Sequence, residues 1–129
     1  LKTQPRTSTG NFWHKEIYPN QIWLDGLYMA QPFYMQYEVT YNNSTNCKDC
    51  YQQFVNVYNL MRDLRNGLYY HAYDDSRTSF WCDKVTGLSD NFWLRALGWY
   101  AMALIDTMEV MPEETLGSEK KESDLQGTY

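Results

Sequence analysis

Residues 49–66 read DCYQQFVNVYNLMRDLRN, and the spacing of their apolar side chains decides the fold class. Intervals of three, one, three and three positions separate Phe54, Val57, Tyr58, Met61 and Leu64. These intervals place the five side chains on one face of a helix. The segment therefore predicts an amphipathic α-helix from about Asp49 to Asn66, and Gly67 follows where a glycine commonly ends a helix.

Upstream of this segment, a second stretch of helical spacing runs from about Gln21 to Tyr41. Its apolar residues are Trp23, Leu27, Met29, Phe33, Tyr34 and Tyr37. They fit a period of 3.6 better than alternation, so the stretch predicts a helix, and Pro32 is expected to kink it. The polar cluster 42–46 ends it.

Downstream, residues 68–87 predict a long aromatic loop with short extended pieces, because a loop of this length in a small domain usually serves a function. A third helix follows and reaches about Met111, with Ser89 or Asp90 as its predicted cap and Pro112 as its stop. Its apolar positions are Trp93, Leu97, Tyr100, Leu104 and Met108. Three helices without β-α-β alternation predict an all-α fold.

Composition excludes several classes of partner. The net charge is −5 and the sequence pI about 4.9, which argues against nucleic acid, whose phosphates select basic surfaces. No apolar run approaches the roughly 20 residues of a membrane span. The N-terminal LKTQPRTSTG lacks the apolar region of a signal peptide, so a cytoplasmic location is favoured. Aromatic residues make up 17% of the chain, and their flat apolar faces suit either a core or stacking on sugar rings.

Asp25 is the carboxylate that most needs an explanation, because it lies within YPNQIWLDGLYMAQPF, residues 18–33. A position at the start of a helix stabilises its anion through the unpaired backbone amides and the helix dipole. The indole and aliphatic neighbours disfavour the charged form. Asp25 is thus either a simple first-turn charge or a carboxyl group poised as a general acid near neutral pH.

The two histidines, His14 and His71, each lie in an aromatic loop, and no third ligand stands at metal-binding spacing. We therefore expect hydrogen bonds to a polar ligand rather than metal ligation. Arg95, between Trp93 and Trp99, can bind a carboxylate with two donors, or pair with an acid such as Asp90.

Three segments carry a family resemblance: NFWHKEIYPNQIWLDGLYMAQPF, GLYYHAYDD and TGLSDNFWLRALGWYAMALIDTME. Together they resemble glycoside hydrolase family 105, the unsaturated rhamnogalacturonyl hydrolases, and the related unsaturated glucuronyl hydrolases of family 88. The resemblance covers roughly residues 11–111, in order.

This resemblance implies an (α/α)6 barrel with an aromatic pocket for pectin-derived oligosaccharides that end in a 4,5-unsaturated uronic acid. It implies that Asp25 is the catalytic general acid/base. It also implies substrate-binding roles for His14, Trp23, Met29, His71, Trp93, Arg95 and Trp99. The implied reaction is hydration of the vinyl ether, and no cofactor or metal is expected.

The length accommodates only part of such a barrel. About twelve helices need well over ~250 residues, and three are predicted here. We expect an internal piece of such a hydrolase: residues 1–112 as a partial (α/α)6-barrel segment and 113–129 as a polar C-terminal tail. The second active-site aspartate of the family has no counterpart in residues 1–13. Apolar helix faces without neighbours predict association with other copies or with the remainder of the barrel.

Two further readings stay open. The chain could be a non-catalytic carbohydrate-binding or assembly fragment that keeps the aromatic wall without turnover. Alternatively, Cys47 and Cys50 could form half of a zinc site in a metal-stabilised helical domain, although no second pair of ligands follows.

Overall fold

The computed structural model of the protein describes residues 2–115. Within that range the elements follow the order β1 (Gln21–Trp23), α1 (Leu24–Tyr41), α2 (Cys47–Met61), β2 (Ala72–Asp74) and α3 (Leu94–Val110). A 3₁₀ turn, Glu113–Thr115, follows α3 and packs beside α2. The polar tail predicted from residue 113 thus begins with this turn, and its residues 116–129 lie outside the described range.

Helix α2 buries the face that its sequence spacing predicts. The side chains of Phe54, Val57 and Met61 are completely shielded from solvent. Helix α2 begins at Cys47, two residues earlier than predicted, so Cys47 and Cys50 lie in its first turn. The helix supplies one wall of the core, against which α1 packs.

The predicted C-terminal end of this helix is wrong by five residues. The chain leaves α2 at Arg62 and forms a tight hairpin, in which Asp63 N–H donates to the Leu68 carbonyl (2.7 Å) and Gly67 N–H donates to the Asp63 carbonyl (2.8 Å). Gly67 has φ +76°, and it serves this turn rather than a helix cap. Leu64 consequently lies 85% exposed instead of on the buried helical face.

The first and third helices also begin later than predicted. Gln21–Trp23 is extended because it pairs with β2, so α1 begins at Leu24 and continues past Pro32. Helix α3 begins at Leu94 with Trp93 as its N-cap, and neither Ser89 nor Asp90 caps it. The Ser89 hydroxyl instead accepts a hydrogen bond from Ala72 N–H at 3.2 Å.

Helices α1 and α3 form the main packing interface of the described residues. Ala96 and Ala103 of α3 are completely buried, and their small side chains allow the two helices to approach closely. Met35 and Leu24 of α1 are also completely buried. This interface fixes the position of the first turn of α1 relative to the first turn of α3.

Both helices also carry large apolar side chains that are exposed in the described part of the chain. On α1 they are Met29, Phe33, Tyr37, Val39 and Tyr41, and on α3 they are Leu94, Met102 and Ile105. These surfaces are what association with further helices would require, and that association stays a prediction. Among the described helices, none combines the length and apolar character needed to cross a membrane.

Glu38, which the sequence did not single out, organises the turn between α1 and α2. Its carboxylate is buried and accepts hydrogen bonds from Asn42 Nδ2 (2.8 Å), Asn46 N (3.0 Å) and Asn46 Nδ2 (3.1 Å). Burial acts to raise the pKa of Glu38, but the hydrogen bonds from Asn46 and Asn42 outweigh it and leave the pKa below its ordinary value. The carboxylate therefore acts as an ionised acceptor for three donors.

Replacement of Glu38 by glutamine is expected to lower the free energy of unfolding by about 1–3 kcal/mol, because an amide group would face donors that now meet a carboxylate. Urea denaturation followed by circular dichroism measures the difference. The same substitution at the exposed Glu109 of α3 is the control and is expected to change stability by no more than about 0.5 kcal/mol. Equal effects at the two positions would contradict the role given to Glu38.

Candidate active site

The two short strands bring Asp25 and His71 to the same end of one ladder. Strand β1 pairs antiparallel with β2, and Trp23 lies opposite Ala72. Just past this pair, Leu24 N–H donates to the His71 carbonyl at 3.1 Å. Asp25 follows Leu24 in the first turn of α1, and His71 directly precedes β2, so residues 46 positions apart become neighbours.

Asp25 is only 6% exposed and lies between a guanidinium and an imidazole. Its Oδ2 accepts a hydrogen bond from Arg95 Nε at 3.1 Å. Its Oδ1 lies 3.7 Å from His71 Nδ1, which is too long for a hydrogen bond, and neither atom has a hydrogen-bond partner among residues 2–115. The environment is thus not simply apolar, as the sequence neighbours suggested, because one oxygen is anchored by a cation.

His14 forms a ring stack beside this carboxylate. Its imidazole lies 4.3 Å from the Trp23 ring at an interplanar angle of 8°. The backbone N–H of His14 donates to the Gln21 carbonyl at 2.7 Å, which ties the loop to β1. A Cβ atom at Gly26 would lie 2.8 Å from His14 Nδ1. The imidazole therefore reaches α1 at a point where the helix has no side chain.

A second aromatic wall comes from the start of α3. The Arg95 guanidinium lies 5.1 Å from the centre of the Trp93 ring, within cation–π range. The His71 ring contacts Trp93 (5.9 Å) and Trp23 (5.3 Å), so it bridges the two aromatic groups. Asp25 consequently lies among residues from the N-terminal loop, β1, the loop before β2 and the start of α3.

Met29 and Trp99 lie further from the carboxylate contacts. Met29 follows Asp25 by one helical turn, is 61% exposed, and lines a cavity of about 220 Å³ together with His14 and Trp23. Trp99 follows Arg95 by one turn of α3, and its ring packs on Tyr28 of α1 at 4.5 Å. The structure therefore brings His14, Trp23, His71, Trp93 and Arg95 around Asp25, with Met29 and Trp99 one turn away.

Burial keeps both histidines of the site neutral near neutral pH. It lowers the pKa of His14 despite the nearby Asp25 carboxylate. It also lowers the pKa of His71, where the Arg95 guanidinium acts in the same direction and Asp25 opposes it. A neutral imidazole can both donate and accept a hydrogen bond, which suits contact with sugar hydroxyl groups.

The two cysteines of the possible zinc site, Cys47 and Cys50, are buried in the first turn of α2, and this burial raises the pKa of both thiols. The Cys50 thiol donates to the Gln31 carbonyl at 3.5 Å. Across residues 2–115, no three His, Cys, Asp or Glu side chains are grouped as a metal site would need. The zinc reading therefore has no support in the described part of the chain.

The comparison with protein families agrees with this arrangement of residues. The sequence model for Glycosyl Hydrolase Family 88 matches residues 1–128. The chain belongs to this family. The resemblance of its three motifs to families 105 and 88 is therefore confirmed.

Individual relatives of this family 88 chain are known in structure and in sequence. A glycoside hydrolase of family 105 from C. acetobutylicum is similar in structure over 98% of the chain, with a TM-score of 0.91 and 44% identity. Protein Atu3128 of Agrobacterium fabrum is 36% identical over 94 residues, or 73% of the chain. The unsaturated rhamnogalacturonyl hydrolase YesR of Bacillus subtilis is 27% identical over 116 residues, or 86% of the chain.

The chain spans 35%, 40% and 32% of the lengths of these three proteins, respectively. The structural similarity confirms the predicted fold class, an all-α portion of the (α/α)6 barrel. Strand β2, Ala72–Asp74, lies in the loop 68–87, where short extended pieces were predicted, whereas β1, Gln21–Trp23, replaces the first residues of the predicted first helix.

Sequence reasoning missed two residues that contact the site. The Tyr18 ring stacks on Trp23 at 5.1 Å and 17°. The Gln21 side chain accepts a hydrogen bond from Trp23 Nε1 at 2.9 Å. Both residues lie within the quoted stretch 18–33, and their closeness to Trp23 in sequence was the available signal. Neither residue carries a charge at neutral pH, so a search for charged groups passes over them.

The lowered pKa values of His14 and His71 predict a loss of stability on mild acidification. The unfolded chain takes up protons near the ordinary value of 6.5, and the folded chain does so only at lower pH. The free energy of unfolding therefore has its full value above about pH 7. It falls as the pH drops through 6.5 toward the lower pKa values that the two histidines have in the folded chain. Urea denaturation at about pH 7.5 and about pH 5 measures this fall.

The double variant His14→Asn and His71→Asn tests the assignment, because it removes both groups. We expect a smaller loss of stability than in the original chain over the same pH interval. The carboxylates with lowered pKa values, such as Asp49 and Asp74, titrate below the ordinary carboxyl range and contribute little in this window. An unchanged pH dependence in the double variant would refute the assignment.

Proposed function

We propose that the protein is a glycoside hydrolase that releases a 4,5-unsaturated uronic acid from pectin-derived rhamnogalacturonan oligosaccharides. The observation that carries this proposal is the buried carboxylate of Asp25, which has one oxygen anchored by Arg95 and the other unpartnered among the described residues beside His71. Membership of family 88 and the similarity to YesR support the substrate class.

The proposed reaction begins with transfer of a proton from Asp25 to C4 of the unsaturated ring. The π electrons of the C4–C5 double bond form the new C–H bond, and positive charge develops at C5, where the ring oxygen shares it. Water adds to C5 and returns a proton to the Asp25 carboxylate. Asp25 thus acts first as general acid and then as general base, and it is regenerated.

The product of these steps is a hemiketal at C5, which opens without further catalysis. The C5–ring oxygen bond breaks and leaves a ketone at C5, while the ring oxygen remains on C1. The resulting hemiacetal at C1 then collapses to an aldehyde and releases the neighbouring sugar as an alcohol. Since no bond to C1 is broken by direct displacement, the chemistry needs one proton-transferring carboxyl group at the double bond rather than the two flanking carboxylates of ordinary glycosidases.

The other site residues have supporting roles in this proposal. The Arg95 hydrogen bond to Oδ2 fixes the carboxyl group and leaves Oδ1, which is buried beside His71, without a hydrogen bond among the described residues. The rings of Trp23 and Trp93 offer apolar faces on which a sugar can stack. The neutral imidazoles of His14 and His71 offer hydrogen bonds to hydroxyl groups. Met29 and Trp99, one turn further along their helices, extend the wall of the pocket.

An assay with an unsaturated rhamnogalacturonan disaccharide tests the proposal. Hydration removes the conjugated double bond, so its ultraviolet absorbance should fall with time. In D₂O, protonation by Asp25 should place deuterium on one face of C4, whereas the free unsaturated sugar released by direct displacement would open to an enol and take up deuterium on both faces. Saturable binding of the disaccharide without loss of absorbance would instead support a non-catalytic carbohydrate-binding fragment.

A further inference from the structure

We propose that Gln21 is a positioning residue, which fixes the orientation of the Trp23 indole beside Asp25. This inference rests on the proposed function. Gln21 is not one of the side chains proposed to contact the sugar, but it holds one of those side chains, Trp23, in place. A continuous series of side-chain hydrogen bonds runs from Asp74 to Trp23.

The series has three links. The Ser79 hydroxyl donates to Asp74 Oδ2 at 2.5 Å, and the Ser79 oxygen accepts from Gln21 Nε2 at 3.2 Å. Gln21 Oε1 then accepts from Trp23 Nε1 at 2.9 Å. The links join β1 to the segment after β2, and they end on the residue directly before α1.

Each link can run in only one direction. An ionised carboxylate is an acceptor, so the Ser79 hydroxyl must donate its single proton to Asp74. The Ser79 oxygen is then available to Gln21 only as an acceptor, which fixes the amide nitrogen on that side. The indole N–H can only donate, and it therefore requires the amide oxygen of Gln21. The orientation of the amide is dictated at both ends.

Asp74 provides a fixed starting point. It is 1% exposed and lies opposite Gln21 in the β1–β2 pair. Besides the Ser79 hydroxyl, it accepts hydrogen bonds from the Ser79 amide and from the amide and hydroxyl of Ser76. Burial acts to raise the pKa of Asp74, but these hydrogen bonds outweigh it and leave the pKa below its ordinary value. The group therefore remains an acceptor under neutral conditions.

The Trp23 ring needs such a restraint because stacking alone determines only its plane. The Trp23 ring lies nearly parallel to the His14 ring, at an interplanar angle of 8°, and to the Tyr18 ring, at an interplanar angle of 17°. The His14 and Tyr18 rings lie side by side on one face of the indole, because their own centres are only 6.3 Å apart. An indole stacked on them can still turn by half a rotation about its Cβ–Cγ bond, which keeps the plane and exchanges its two edges. The hydrogen bond from Nε1 to Gln21 removes that freedom, and it sets which edge of the indole faces the Asp25 side of the site.

The first test is spectroscopic and does not depend on catalysis. In protein labelled with ¹⁵N-tryptophan, the indole N–H resonance of Trp23 is identified by its loss in Trp23→Phe. Gln21→Met keeps the side-chain length and removes both hydrogen bonds, so we expect this resonance to shift upfield and to exchange faster with solvent. Gln52→Met, the same change at an exposed position of α2, should leave the resonance unchanged.

The second test measures turnover of the unsaturated disaccharide. We expect Gln21→Met to lower kcat/KM by about tenfold, and to have no further effect in the Trp23→Phe background, which has no indole N–H to restrain. If Gln21→Met fails to fold, Ser79→Ala breaks the series one link earlier and should shift the same resonance by less.

The outcomes separate the two proposals. An unshifted Trp23 resonance in Gln21→Met would overturn the restraint. A shifted resonance with unchanged kcat/KM, or equal losses with and without the Trp23 indole, would overturn the positioning role while the proposed function stands. Absence of turnover in the original protein would overturn the proposed function, and the indole resonance would still decide whether Gln21 holds the ring.

Discussion

Replacement of Asp25 by asparagine is expected to lower turnover of the unsaturated disaccharide by about 10³-fold, which is typical for loss of a general acid/base. Asparagine has nearly the same shape, and its side-chain oxygen can still accept the hydrogen bond that Arg95 Nε now gives to Oδ2. The amide has no proton acidic enough to transfer to carbon, and it cannot take a proton from water. The ground-state contacts should therefore survive while both proton transfers are lost.

The pattern of kinetic constants distinguishes this role from a structural one. We expect kcat to fall while the variant still binds the disaccharide, because the carboxyl group acts mainly in the transition state. Asp90→Asn is the matched control, since Asp90 is exposed near the start of α3 and should retain full activity. A variant at position 25 that retains turnover within a few-fold of the original would refute Asp25 as the proton donor.

The sequence predicted the helices better than their ends, for identifiable reasons. The apolar spacing around Phe54 reports a buried face, but it contains no information on Tyr70 N–H, which donates to the Met61 carbonyl and draws the chain away from the helix. Leu64 continued the pattern and proved exposed, because the hairpin after α2 depends on contacts with residues further along the chain. Strand β1 was predicted as helix because its three residues are too few to show alternation.

The prediction of the candidate site was limited in a different way. The family resemblance named His14, His71 and Arg95, but the spacing of these residues in sequence does not bring them to Asp25. The β1–β2 pairing and the packing of α1 on α3 do so, and both are tertiary contacts. Gln21 and Tyr18 were missed because they are uncharged and contact Trp23 rather than Asp25. Such a contact forms only in the folded chain and is not visible in a single sequence.

Gly26→Ala should produce the second large effect, through steric contact rather than loss of a functional group. A methyl group at this position would lie 2.8 Å from His14 Nδ1, closer than real side chains approach. The His14 backbone is tied to Gln21, so the imidazole has to rotate away from its stack on Trp23. We expect kcat/KM for the unsaturated disaccharide to fall by about 10–100-fold, because the misplaced ring disturbs the pocket next to Asp25.

The matched control for this prediction is Gly98→Ala in α3, where an added Cβ would meet nothing within 4 Å. Alanine is favoured over glycine in a helix by about 1 kcal/mol, so this control should raise the free energy of unfolding by up to that amount without loss of activity. In Gly26→Ala the same gain offsets part of the steric cost, so stability should change little while activity falls. Loss of activity in parallel with loss of stability would show that position 26 supports the fold rather than the placement of His14, and full activity would show that the ring can shift without consequence.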